Sequence, residues 1–204
     1  ETNQIHIIDI LLSLNRIEAS FLEYRLSIQN VSDEDKTITE YLLLYVLENG
    51  ALLDSVLKYE SGNTNLLREE LLFTCVKYCS LAVYLHIIHY ILPTCYEHYA
   101  LYLACKYDNY MIVQNMLEDS RFDSKTVKKE SLKAACKYGH YNTVKTFLDK
   151  TGTQYVTQRA LKNAVYNEEA SIVELLVQQE TRKLDLFDID LYDSLLSGEC
   201  DDDE

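Results

Sequence analysis

Apolar and polar positions along this chain follow a helical rhythm that restarts about every thirty residues. In Leu132-Lys133-Ala134-Ala135-Cys136-Lys137-Tyr138-Gly139-His140, the residues Leu132, Ala135 and Cys136 share one helical face. Val144, Phe147 and Leu148 then form the apolar face of a second helix. The same pattern starts at Leu101, with Ala104, Cys105, Val113 and Leu117, and at Leu161, with Ala164, Val173 and Leu176. The starts at 101, 132 and 161 lie 31 and 29 residues apart. Such self-similarity marks a repeat array, in which each helix pair buries its apolar side only against its neighbours.

Gly139 falls just past the first helix of its repeat, where a left-handed backbone is cheap only for glycine. The spacing assigns that turn position to Asn109 and Glu168 in the neighbouring repeats. Asn tolerates the conformation and Glu does not readily, so strain or a different turn is expected at Glu168. Upstream the rhythm is fainter: Leu71, Thr74 and Cys75 with Val83 and Ile87, then Leu42 to Val46 with Leu53 and Leu57, then Leu11 to Leu14 with Phe21 and Leu22. The organisation expected is a helical part over 1–95, read as degenerate repeats, three repeats over 96–183, and an acidic capping helix and tail over 184–204.

Composition supports helices with short connections: 204 residues contain one proline, five glycines and no tryptophan, with 48% hydrophobic residues. The most apolar segment, Leu81 to Leu92, is too short to span a membrane and carries His86 and His89. Cys105 and Cys136 occupy one repeat position beside Ala104 and Ala135, which suits packed thiols in a reducing compartment, so an intracellular, cytoplasmic location is expected. Net charge is −14 but uneven. Residues 1–99 hold 6 basic and 14 acidic residues, 100–183 hold 13 and 10, and 184–204 hold none and 9. A nucleic-acid partner is therefore not expected overall, because phosphate binding needs a positive field.

The 132–148 stretch resembles the ankyrin repeat: Leu132, the Ala134-Ala135 pair, Gly139-His140, Val144 and Phe147-Leu148 stand where that family has Leu, Ala-Ala, Gly-His, Ile-Val and leucines. The matches at 101–117 and 161–176 are looser. No repeat carries the Thr-Pro-Leu-His stretch, and the connections between units are short. The resemblance thus implies an all-α, ankyrin-like helix-turn-helix solenoid with shortened or missing β-hairpins. The Leu-, Ile-, Tyr- and Asn-rich style is similar to divergent ankyrin proteins of large DNA viruses and intracellular pathogens. The resemblance also implies that the variable pairs Lys106-Tyr107, Lys137-Tyr138 and Tyr166-Asn167 bind a partner. Tyrosine suits that role, offering large amphipathic contact at little entropic cost.

Other constellations carry less. Cys75, Cys79, His86, His89, Cys95 and His98 crowd together, but their spacing is poor for zinc, and no metal or other cofactor is expected. Cys136 and His140 are explained by the repeat without catalysis, and no catalytic constellation is expected. Arg121, Lys125, Lys128, Lys129, Lys133 and Lys137 form a basic run that suits an acidic protein surface or the chain's own tail. In that tail Leu184, Phe187, Leu191 and Leu195 share a helical face fit for a cap, while Leu186-Phe187-Asp188-Ile189-Asp190 is similar to a clathrin-box peptide. The function expected is protein–protein interaction, as an adaptor or scaffold, with no membrane partner. Two alternatives stand beside it: a regulatory helical domain of a larger enzyme, and a nucleic-acid-binding repeat using the 121–137 lysines.

Overall fold

A computed structural model describes residues 33–58, 64–90 and 97–180. They form ten α-helices, and no strand occurs among them. The chain divides into two compact units, Glu1–Tyr96 and Glu97–Glu204.

The first unit contains two helix hairpins. Helix α1 (Asp33–Glu48) turns at Asn49 into α2 (Gly50–Lys58), and α3 (Thr64–Tyr78) turns into α4 (Leu81–Ile88). Helices α1 and α3 stack, and each packs on its own partner. The phase seen in the sequence is the burial phase here. Leu42, Val46, Leu53, Leu57, Leu71, Cys75 and Ile87 are buried, whereas Val83 is half-buried. The expected pair at Leu11 to Leu22 lies outside the described residues. Polar ties join the hairpins: Lys77 Nζ to Glu40 at 2.7 Å, His86 Nε2 to Asp54 at 2.8 Å, and Arg68 donating to the Leu57 carbonyl at 3.0 Å. The last of these satisfies a carbonyl that the end of α2 leaves without a helical donor.

The second unit repeats one device three times. Helices α5 (Glu97–Lys106), α7 (Lys125–Lys137) and α9 (Gln158–Tyr166) stack side by side as an inner layer. Each is followed by an antiparallel outer helix: α6 (Tyr110–Glu118), α8 (Tyr141–Thr151) and α10 (Ala170–Glu180). Ala104, Ala135 and Ala164 are fully buried between inner helices, where a small side chain lets backbones approach. Leu101, Leu132, Val113, Val144, Met116 and Phe147 fill the space between the layers, each fully buried side chain contributing about 1.5–3 kcal/mol of transfer free energy.

The three inner-to-outer turns are hydrogen-bonded alike. The amides of Asn109, His140 and Glu169 donate to the carbonyls of Ala104, Ala135 and Ala164 at 2.9–3.0 Å, closing a Schellman cap on each inner helix. The residue before each donor is left-handed: Asp108 at φ 60°, Gly139 at φ 74° and Glu168 at φ 60°. Gly139 and Glu168 take the positions read from the sequence, but in the first repeat the left-handed residue is Asp108 and not Asn109, which lies at φ −84°. Cap geometry decides this, since the residue whose amide reaches the alanine carbonyl follows the left-handed one. Asp108 is held there by its own carboxylate, which accepts the Thr143 hydroxyl at 2.7 Å.

Connections between repeats are 3₁₀ turns plugged by an aromatic ring. Ser120–Phe122 seats Phe122, fully buried, and Gly152–Tyr155 seats Tyr155 edge-on against Phe147 at 6.3 Å. These plugs stand where β-hairpins were expected to be shortened or missing. The capping helix and tail expected over 184–204 lie outside the described residues.

Candidate recognition surface

At the turn end of the inner layer, consecutive repeats bring two Lys-Tyr pairs together. Lys106 Nζ lies 5.7 Å from the Tyr107 ring centre and 5.4 Å from that of Tyr138, while Lys137 Nζ lies 5.7 Å from Tyr138. One ammonium thus bridges aromatic faces of two repeats, a cation–π arrangement that is strongest where water is excluded. His140 locks the junction. Its ring stacks on Tyr138 at 6.2 Å, and its Nε2 bonds the Lys106 carbonyl at 2.7 Å. A carbonyl only accepts, so His140 carries its proton on Nε2 in this bond. Tyr107 and Tyr138 keep 39% and 42% of their surface exposed, so the cluster is ordered by packing and still accessible.

The third sequence-predicted pair stands apart. Tyr166 is 80% exposed at the end of α9, and Asn167 is exposed with its amide donating back to Asn163 at 2.7 Å. Both lie at the same end of the inner layer as the Lys-Tyr pairs.

The basic run separates into two kinds of side chain. Arg121 is clamped by Asp119, its Nε at 2.9 Å and its Nη2 at 2.6 Å from one carboxylate oxygen, and these bonds hold the Asp119 carboxyl below its usual range. Lys128 is buried, 2.7 Å from Asp123 and 5.5 Å from the Tyr155 ring, and its bond likewise lowers the Asp123 carboxyl. Arg121 and Lys128 therefore brace the connection between repeats; burial of Lys128 corrects its reading as part of an open patch, while Arg121 stays partly exposed. Lys125, Lys129 and Lys137 are exposed, and half-buried Lys133 pairs with Glu130.

Sequence reasoning missed Tyr99, Tyr102, Arg159 and Lys162, which complete this surface beside Lys133 of the basic run. Counted from each repeat's leucine, Tyr102, Lys133 and Lys162 are equivalent, as are Tyr99, Glu130 and Arg159. On each helix these positions share a face with Lys106, Lys137 and Tyr166 through three- and four-residue steps. Tyr99, Arg159 and Lys162 are exposed, Tyr102 is half-buried, and Tyr99 stacks on Tyr102 at 5.9 Å. Carrying the repeat register two residues before the leucine and one residue after it would have found them. The inner helices hold eight basic residues against Glu97 and Glu130, so positive charge is concentrated in this layer.

Nucleophile chemistry is muted. Burial raises the Cys105 thiol well above its ordinary value and pushes Cys136 up to about 12, so neither supplies a thiolate at neutral pH. Cys75 and Cys79 share a thiol hydrogen bond that raises the first and lowers the second. Among the described residues no group of three His, Cys, Asp or Glu is placed to hold a metal ion, and no helix is long and apolar enough to cross a membrane.

A family model of ankyrin repeats, in three copies, matches residues 101–190. No curated protein and no solved structure matches the chain. Ankyrin repeats generally mediate protein–protein interaction. The three Schellman turns and the inner-layer register of the second unit fall within that match, which supports an ankyrin-repeat assignment for residues 101–190.

Proposed function

We propose that the chain is a non-catalytic protein-binding module whose inner layer grips an acidic segment of a partner. The observation that carries this reading is the Lys106–Tyr107–Lys137–Tyr138 cluster, continued by exposed Lys162 and Arg159 on the same layer. Tyrosines held in place by neighbouring cations are preorganised, so little side-chain entropy is lost on binding. Lysines around them favour carboxylates and speed encounter more than they add affinity. A phosphate backbone is the competing ligand for such a face, and the net charge of −14 opposes it at long range. An adaptor or scaffold role in a reducing, cytoplasmic setting fits the buried thiols of Cys75, Cys105 and Cys136.

The test is affinity capture with mass spectrometry, comparing wild type with a Tyr107→Ala, Lys137→Ala, Tyr138→Ala variant whose far-ultraviolet spectrum is unchanged. The expected result is a set of proteins kept by wild type and lost by the variant. Capture of the same set by both would refute the assignment of the inner layer.

A further inference from the structure

We propose that the chain's own acidic tail, centred on Glu199 and Asp201 to Glu204, docks on the basic face of α7 and α9 and competes there with outside ligands. This inference rests on the reading of that face as an acid-binding surface, and three observations carry it.

The first is charge segregation within one unit. Inner helices hold eight basic residues and two acidic ones, while residues 184–204 hold nine acidic residues and no basic one. The second is how cations elsewhere are used. Lys77, Arg121, Lys128 and Lys150 each meet a carboxylate of their own unit, at Glu40, Asp119, Asp123 and Glu118. Lys129, Arg159 and Lys162 are exposed on the inner helices and meet no carboxylate among the described residues. Lys129 lies on α7 and Arg159 and Lys162 on the neighbouring α9, so the unpaired charge extends across two repeats.

The third is reach. Within a repeat the two helices are antiparallel, so α10 ends towards the end of the layer where α9 begins. From Glu180 to Glu199 the chain has nineteen residues, enough to span roughly 60 Å when extended. Crossing from α9 to α7 takes about 10 Å, and following α7 from Lys129 to Lys137 about 12 Å. A tether of this length raises the local concentration of tail carboxylates to the millimolar range. Lysine–carboxylate pairs that are individually weak at an exposed surface then suffice, and they remain sensitive to salt and to displacement.

Zero-length carbodiimide coupling of the full chain at low micromolar concentration, followed by peptide mapping, tests this directly. The expected products are intramolecular isopeptide bonds from Glu199 or Asp201 to Glu204 onto Lys129, Lys133, Lys137 or Lys162. Their yield should be independent of protein concentration and fall severalfold in molar salt or on Arg159→Glu. Bonds that are absent, that go to other lysines, or that rise with protein concentration overturn the proposal. A second measurement separates it from the reading beneath it. A short fluorescein-labelled Asp/Glu-rich peptide should bind a tail-neutralised chain (Glu199→Gln, Asp201→Asn, Asp202→Asn, Asp203→Asn, Glu204→Gln) about tenfold more tightly than wild type. Equal binding to both overturns tail docking and leaves the acid-binding face standing. Binding to neither overturns both.

Discussion

Single residues in the second unit show where the repeat is well fitted and where it is strained. Glu168 occupies a left-handed conformation at φ 60° that glycine meets without steric cost, so Glu168→Gly should stabilise by about 0.5–1 kcal/mol in urea denaturation. Gly139→Ala acts the other way. It meets both φ 74° and the Glu169 carboxylate, which the new Cβ would overlap, and because that carboxylate can swing aside the loss should be about 1–2 kcal/mol. Ser131 is fully buried with a hydroxyl that finds no partner, at a position where the other repeats have Ala100 and Ala160. Ser131→Ala should therefore raise stability by about 1 kcal/mol, read from the same denaturation curves. In the first unit, burial with the adjacent Glu70 charge raises the Glu69 carboxyl to about 7. A folded-state value above the unfolded one favours the fold at acid pH, so its contribution is greatest below about 4.5 and is lost as pH rises through 7. Glu69→Gln should raise the melting temperature at pH 8 and flatten its pH dependence between 5 and 7.

At the level of elements, the rhythm of Leu, Ala and Cys was enough to place the three inner helices, because each buries one stripe and the stripe is written in period. The left-handed turn position was legible at Gly139 and, by register, at Glu168, but not at Asp108. Asp108 holds its left-handed place through Thr143, thirty-five residues away, and no local pattern announces such a bond. The connections were legible as short but not as plugs, since Phe122 and Tyr155 are single aromatics whose meaning depends on the groove they fill. Phe122→Ala should cost about 3–5 kcal/mol, checked by chemical denaturation, because the whole ring is buried where the connection meets α5 and α6. The basic run was overread as one patch. Asp119 and Asp123 pair with Arg121 and Lys128, and burial takes Lys128 out of the surface.

For the whole second unit, positive charge faces out from the inner layer, while the outer helices together hold four acidic and two basic residues and residues 184–204 hold nine acidic and none basic. The proposed function follows from this polarity: an acidic ligand drawn to the inner layer would meet tyrosines already held in place. The most direct test of that claim is anisotropy of the labelled Asp/Glu-rich peptide against the tail-neutralised chain and against the same chain carrying Lys133→Glu, Lys137→Glu and Lys162→Glu, over a range of salt. The expected result is binding that weakens as salt rises and falls at least about tenfold with the three reversals. Binding that is unchanged by the reversals would contradict the account, because the acidic ligand would then be held somewhere other than the inner layer.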